Sequence, residues 1–424
     1  MQTQFPFRRI SVIGLGYIGL PTAAVFASRK IKVIGVDINQ CTVETINRGE
    51  VHIVEPELDI VVKTTVSQGY LRATMVPEPA DAFLIAVPTP FKGDNHDPDL
   101  SYIKSASEAV APVLKSGDLV VLESTSPVGT TAMMASWLAA LRPDLSFPQN
   151  AGEASDIRVA YCPERVLPGK VMQELITNDR IIGGMTSRCS REASVLYKAF
   201  VSGDCIVASN PDVAEMAKLT ENSFRDVNIA FANELSVICD HLDIDTWELI
   251  RLANLHPRVN ILQPGPGVGG HCIAVDPWFI VSSAPEQAQI IRTARKVNLS
   301  KADYVVECAK RLIDANPDSQ IACLGLTFKP NIDDLRESPA IYVAEQLARS
   351  YGSRISLVEP YTRVLPRVFE GTGAKLLGVE KAVAQCSVLI VLVNHDLFKS
   401  VPPAQRIGKV VYDTCGTWLD QSAR

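Results

Sequence analysis

Two doubly wound α/β domains joined by a long central helix are predicted by three features of the sequence. Short apolar runs alternate with helical stretches in the first half, the alternation returns in the last third, and one long helical stretch lies between. In the first half the strand candidates are residues 10–13, 31–36, 82–87, 119–123, 157–161 and 180–183, rich in Val and Ile and flanked by turn residues. Such runs, separated by helices, build a largely parallel sheet buried on both faces. Residues 212–240 read as the long helix, with Asn210 as N-cap and Pro211 at the first helical position. The last third supplies residues 321–324, 355–358, 388–393 and 410–412, a smaller α/β domain without a glycine fingerprint. The expected division is 1–207, 208–303 and 304–424, with a ligand cleft between the two α/β domains.

The bulk composition excludes several classes. A chain of 424 residues with 47% hydrophobic and 21% charged residues is too long for one core and too apolar to be disordered. A net charge of −6 argues against nucleic-acid or acidic-membrane partners. Ten cysteines without a C-x-x-C pair indicate neither a metal site nor a disulfide framework, and read as reduced thiols of a cytoplasmic protein. Arg8-Arg9 before an uncharged run imitates a twin-arginine signal, but Gly14, Gly16, Gly19 and Pro21 interrupt that run. No other segment has the roughly 18 unbroken apolar residues of a membrane span.

Gly14-Leu15-Gly16-Tyr17-Ile18-Gly19 sits between a strand and a helix, the context in which G-x-G-x-x-G marks a Rossmann-like dinucleotide site. Gly14 allows the tight turn, Gly16 lets backbone approach the pyrophosphate, and Gly19 permits close helix–strand packing. The helix N-terminus adds N–H donors for the phosphates. Asp37 ends the second strand, 18 positions after Gly19, where a carboxylate bonds ribose hydroxyls and repels a 2′-phosphate. NAD is therefore the expected cofactor. Val87-Pro88-Thr89-Pro90 and Ser124-Thr125-Ser126-Pro127 each end a later strand, where open α/β sheets place ligands.

Lys218, Asn222 and Arg225 recur at i, i+4 and i+7 on one face of the long helix. That stripe can polarise an oxygen or hold a phosphate; taken in isolation it is more often the pattern of a solvated helix face. Cys272 follows Gly269-Gly270, which lets a ligand or backbone come close, and an ammonium such as Lys218 would favour the thiolate. Asp276 has two readings, a proton-shuttling carboxylate or a helix N-cap. Glu164 could orient or deprotonate water. Arg165, Lys218, Arg225, His256, Arg258, Lys329 and Arg336 are more cations than an acidic chain needs for solubility, and suggest a small polyanion such as a diphosphate.

Together, residues 14–19, 87–90, 123–130, 215–233, 265–276 and 325–339 resemble the UDP-glucose/GDP-mannose dehydrogenase family over nearly the whole chain. Cys162-Pro163-Glu164-Arg165-Val166-Leu167-Pro168-Gly169 is similar to the N-acetylhexosamine branch. The resemblance implies four-electron oxidation of UDP-N-acetyl-D-mannosamine at C6 to the uronate for surface-polysaccharide synthesis, with two NAD consumed per sugar and a homodimer built around the long helix. It implies Cys272 as nucleophile, Lys218 as polarising or proton-shuttling lysine, and Asn222 as holder of the reacting oxygen. Thr125, Glu164 and Asp276 match positions that place water or shuttle protons. Arg165, Val166, Arg225, His256, Arg258, Gly269, Phe328 and Lys329 match substrate contacts, with Lys218 and Asn222, and His256 and Arg258 would reach the neighbouring subunit's site. Tyr17, Ile18, Asp37, Thr89, Thr131 and Arg336 match cofactor contacts, beside the three glycines. Cys415 departs from the pattern, since relatives carry a basic residue there, which puts one phosphate contact in doubt. The C2 epimer stays open, with UDP-N-acetylglucosamine and UDP-glucose as alternatives. Two rivals also stand: a two-electron hydroxyacid dehydrogenase and a non-catalytic nucleotide-sugar sensor.

Overall fold

The computed structural model describes residues 5–93, 96–167, 169–270 and 272–419; of the sequence motifs, Pro168 and His271 lie outside them. The chain forms two compact units, residues 1–221 with 278–284 and residues 222–277 with 285–424.

The first unit is built on eight strands: β1 (Arg9–Ile13), β2 (Lys32–Val36), β3 (Leu71–Thr74), β4 (Ala82–Ile85), β5 (Leu119–Leu122), β6 (Arg158–Tyr161), β7 (Arg180–Gly184) and β8 (Cys205–Val207). Their order is β8-β7-β6-β5-β4-β1-β2-β3, and every pairing is parallel except β6 with β7. Alternation along each strand loads both faces. Ile10 and Val12 join a core with Ala23, Ala24 and Phe26 of α1 (Gly19–Ser28), while Ile13 faces a second core with Ile34, Phe83 and Ile85. The order reverses between β1 and β4, so the chain leaves their carboxyl ends in opposite directions and opens a crevice there.

The second unit carries β9 (Ile321–Leu324), β10 (Ile355–Val358), β11 (Lys375–Leu376), β12 (Val388–Val391) and β13 (Val410–Asp413) in the order β11-β10-β9-β12-β13, all parallel. Its reversal falls between β9 and β12. The doubly wound α/β class read from the sequence is the observed one.

The long helix is α3 (Pro211–His241), 31 residues, preceded in the chain by α2 (Thr130–Leu141). Asn210 caps it as expected, its side-chain oxygen accepting the Val213 amide at 2.9 Å. Three of these strands escaped the pattern, β3, β8 and the two-residue β11. All three lie at sheet edges and are partly exposed, so they lack the continuous apolar run that betrays a central strand. Among the described residues no helix is long and apolar enough to cross a membrane.

Candidate active site

The glycine turn closes the crevice of the first sheet. The Gly14 amide donates to Val36 O at 2.8 Å, and Gly14 has φ +91°, where a Cβ would stand 2.6 Å from Ala86 O. A Cβ on Gly19 would lie 1.8 Å from Gly14 O, so that position admits nothing larger. At Gly16 a Cβ would meet nothing within 4 Å, leaving open the side from which a pyrophosphate approaches. Asp37 is held by its own turn: Oδ2 accepts from the Leu15 amide and Oδ1 from the Asn39 amide, each at 2.9 Å. Each oxygen keeps a lone pair for a ribose hydroxyl. These residues fit NAD.

The neighbouring loops are tied together. Thr89 is buried and its hydroxyl donates to Thr125 O, while the Tyr17 hydroxyl donates to Val54 O at 3.0 Å and Ile18 is half buried. Thr131 is fully buried on Glu215 of α3: its amide and hydroxyl donate to Oε1 at 2.8 and 2.6 Å, and the Gly129 amide donates to Oε2 at 2.6 Å. Glu215 therefore caps α2 from another helix. Burial pushes its carboxyl up to about 7, against three donors that favour the ionised form.

Glu164 is buried in an ion pair. Arg180 Nη1 donates to one oxygen at 2.6 Å and the Arg165 amide to the other at 2.7 Å. The Arg180 guanidinium lies over the rings of Tyr197 and Phe200, 5.2 and 5.7 Å from their centroids. Tyr197 in turn donates to Glu123 Oε1 at 2.6 Å. Sequence reading missed Arg180, Tyr197 and Glu123; an arginine opening an apolar strand was the available signal. Arg165 pairs with Glu221 at 2.8 Å, and Val166 packs against the first core.

Burial pushes the Glu123 carboxyl up to about 7. A carboxyl raised in the folded state contributes stability that is complete below its free value of 4.5 and lost as pH rises through about 7. Unfolding free energy should accordingly drop by up to ~1.4 kcal/mol per unit over that window, and Glu123→Gln should flatten the slope. Denaturant titrations at several pH values across the window measure this; an unaltered slope in the variant contradicts the assignment.

In the second unit Asn222 Nδ2 donates to Asp276 Oδ2 at 2.5 Å, both buried. The Val275 and Asp276 amides donate to Cys272 O at 3.1 and 2.9 Å, a turn leading into α4 (Asp276–Ser283). The carboxylate, the amide and the turn bearing the exposed Cys272 thus form one cluster. Lys218, buried, stands one helical turn before Asn222 on α3. Arg225, His256 and Arg258 are exposed, and Arg336 pairs with Asp334 at 2.6 Å.

A buried polar network, also missed, pins the loop that precedes Cys272. The Gly265 amide donates to Asn233 Oδ1 at 2.9 Å, Asn233 Nδ2 to Asn298 Oδ1 at 2.9 Å, and Asn298 Nδ2 to Asp226 Oδ1 at 2.8 Å. Arg295, on α5 (Gln289–Asp314), closes it with a 2.6 Å bond to the same Asp226 oxygen. The visible signal was polar residues at helical spacing on otherwise buried faces. Gly269 and Gly270 lie against Phe328, 2.8 and 2.7 Å from where their Cβ atoms would stand. Among the described residues no cluster of three His, Cys, Asp or Glu could hold a metal ion.

A glycine turn at the switch point of a parallel sheet, with a carboxylate ending the next strand, belongs to an NAD-dependent oxidoreductase. The chain matches the NAD binding domain of the UDP-glucose/GDP-mannose dehydrogenase family at residues 8–201, its central domain at 212–300 and its UDP binding domain at 322–420. It is 61% identical over 420 residues to the UDP-N-acetyl-D-mannosamine dehydrogenase of Salmonella typhi, covering 97% of this chain and 99% of that one. It is also 61% identical over 412 residues to the NDP-N-acetyl-D-galactosaminuronic acid dehydrogenase of Ralstonia nicotianae, covering 97% and 96%. Among solved structures, the UDP-D-ManNAc dehydrogenase of Pyrococcus horikoshii superposes with a TM-score of 0.85 at 38% identity, covering 96% of each chain. The chain belongs to the UDP-glucose/GDP-mannose dehydrogenase family, and is an NAD-dependent enzyme that oxidises nucleotide sugars.

Proposed function

We propose that the enzyme oxidises UDP-N-acetyl-D-mannosamine at C6 to UDP-N-acetyl-D-mannosaminuronate, in the cytoplasm, for cell-surface polysaccharide synthesis. The observation that carries this is the near-full-length 61% identity to an enzyme named for that substrate, joined to the Cys272–Asp276–Asn222 cluster. NAD, held by Gly14, Gly16, Gly19, Asp37 and neighbouring residues Tyr17, Ile18, Thr89, Thr131 and Arg336, supplies a hydride acceptor twice per sugar.

In the proposed sequence Lys218 and Asn222 hold the C6 oxygen as the alcohol becomes an aldehyde. The Cys272 thiolate adds to that aldehyde and keeps it bound as a thiohemiacetal, whose oxyanion meets the same ammonium and amide. Loss of the second hydride leaves a thioester on Cys272. Thr125, Glu164 or Asp276 directs the water that hydrolyses it, with Glu164 oriented by its 2.6 Å ion pair with Arg180. Arg165, Val166, Arg225, Gly269, Phe328 and Lys329 contact the nucleotide sugar.

The same reading includes a homodimer around α3. Phe224, Phe231 and Ile238 recur every seven residues along it, the first two 68% and 52% exposed. His256 and Arg258, both exposed, reach the neighbouring subunit's site. Sedimentation of the enzyme as a monomer at micromolar concentration would remove this part.

A second reading, oxidation in the galacto series, is favoured by the equally identical Ralstonia enzyme. NADH yield per sugar decides, with purified enzyme and the UDP-linked N-acetylmannosamine, N-acetylgalactosamine, N-acetylglucosamine and glucose in separate assays. Two NADH from the mannosamine substrate, with little from the others, is expected. One NADH removes the thioester route, and two from another sugar moves the substrate alone.

A further inference from the structure

Residue 395 stands at the switch point of the second sheet, where the chain leaves β9 and β12 in opposite directions. His395 is wholly buried, and its bonds define its tautomer. Nδ1 accepts the Asn331 amide at 3.0 Å, so it carries no proton. The Thr327 hydroxyl donates to Lys329 O at 2.9 Å, so its oxygen accepts from Nε2–H, 3.2 Å away. Glu359 Oε2, 3.3 Å from Nε2, also accepts the Leu326 and Thr327 amides at 2.7 and 3.2 Å.

The imidazole therefore clamps both ends of the segment 327–331. At the far end Asn331 takes a left-handed φ of +63°, and Asp396 holds it twice, by its amide to Oδ1 at 3.0 Å and its carboxylate to Nδ2 at 2.8 Å. Between the anchors Phe328 projects under the Gly269-Gly270 backbone, and the Gly270 amide donates to Arg336 O at 3.2 Å. Cys272 is two residues further on. Glu337, in the same loop, is held at φ +49°, unusual for a residue with a side chain, with its carbonyl oxygen 2.4 Å from where a Cβ on Gly269 would stand.

We propose that His395 is a positioning residue that locks the 327–331 loop through its Nδ1 acceptor and, through Phe328, sets the segment bearing Cys272. Occupancy of this loop by the uridine diphosphate part of the substrate is thereby felt at the thiol. The inference rests on the reading of Phe328 and Lys329 as nucleotide-sugar contacts and of Cys272 as nucleophile.

The test is alkylation of Cys272 by iodoacetamide, followed on its own peptide by mass spectrometry, across a range of UDP. UDP should protect Cys272 in the wild type. In His395→Asn the side-chain oxygen stands where Nδ1 was, so half-protection should need about the same UDP. In His395→Gln the amide reaches only the Nε2 position, the Asn331 amide is stranded, and about tenfold more UDP should be required. Both variants lose the ring, so a histidine that merely fills the core would shift them equally; equal shifts, or no protection in the wild type, overturn the proposal. Should His395→Gln fail to fold, Phe328→Leu decides: it keeps the clamp but removes the ring under Gly270, and unchanged protection there overturns the proposal. No sugar is present, so failure of wild-type turnover with every UDP-sugar would count against the substrate reading and leave this result standing.

Discussion

A Cys272→Ser enzyme should lose net four-electron turnover by about a thousandfold or more, some 4 kcal/mol of transition-state stabilisation. The reason is chemical before it is geometric. A thiol is partly ionised near neutral pH and a serine hydroxyl is not, and a thioester releases its acyl group to water more readily than an ester. The surroundings conserve this difference: Cys272 sits on a tight turn whose carbonyl is held by two amides, beside the Asn222–Asp276 bond. Steady-state NADH production with UDP-N-acetyl-D-mannosamine measures the loss. If the serine enzyme still yields two NADH per sugar at the wild-type rate, Cys272 is not the nucleophile.

Arg295→Met should produce the largest loss of stability, about 3–5 kcal/mol, because it strands a buried carboxylate. Arg295 and Asp226 are both essentially inaccessible and lie 2.6 Å apart; burial already pushes the Asp226 carboxyl up from its ordinary value. Without the guanidinium that carboxylate must take up a proton or admit water. The disturbance then passes through Asn298 and Asn233 to the Gly265 amide and the loop leading to Cys272. Urea unfolding measures the stability, and the double variant Asp226→Leu/Arg295→Met should recover most of it, since an apolar pair replaces an ion pair at little net cost. A single variant within about 1 kcal/mol of wild type would mean that water already reaches the pair.

The first prediction rests on a residue singled out from the sequence, the second on a pair that was not. Cys272 was singled out because it follows a glycine pair that admits close approach, and because the surrounding motif resembles a known family. Asp226 and Arg295 are 69 residues apart, and neither position carries a local signal that it will meet the other. Separations of 84, 16 and 64 residues likewise hid Glu215 from Thr131, Arg180 from Glu164, and His395 from Asn331. The expected substrate and cofactor residues divide similarly. Gly14, Gly19 and Asp37 have local tasks in one turn, whereas Thr131 and Arg165 have partners, Glu215 and Glu221, supplied by the long helix.

By itself the sequence determined the two largely parallel sheets, the long helix with its Asn210 cap and the dinucleotide turn. Each rests on hydrophobic period, backbone freedom or side-chain chemistry, which act over a few residues. Only the tertiary structure decided which carboxylates are buried, which cations are already paired, and which polar side chains hold the catalytic loops. Those are properties of distance and dielectric between segments far apart in the chain, and they exist only once the sheets and helices have brought them together.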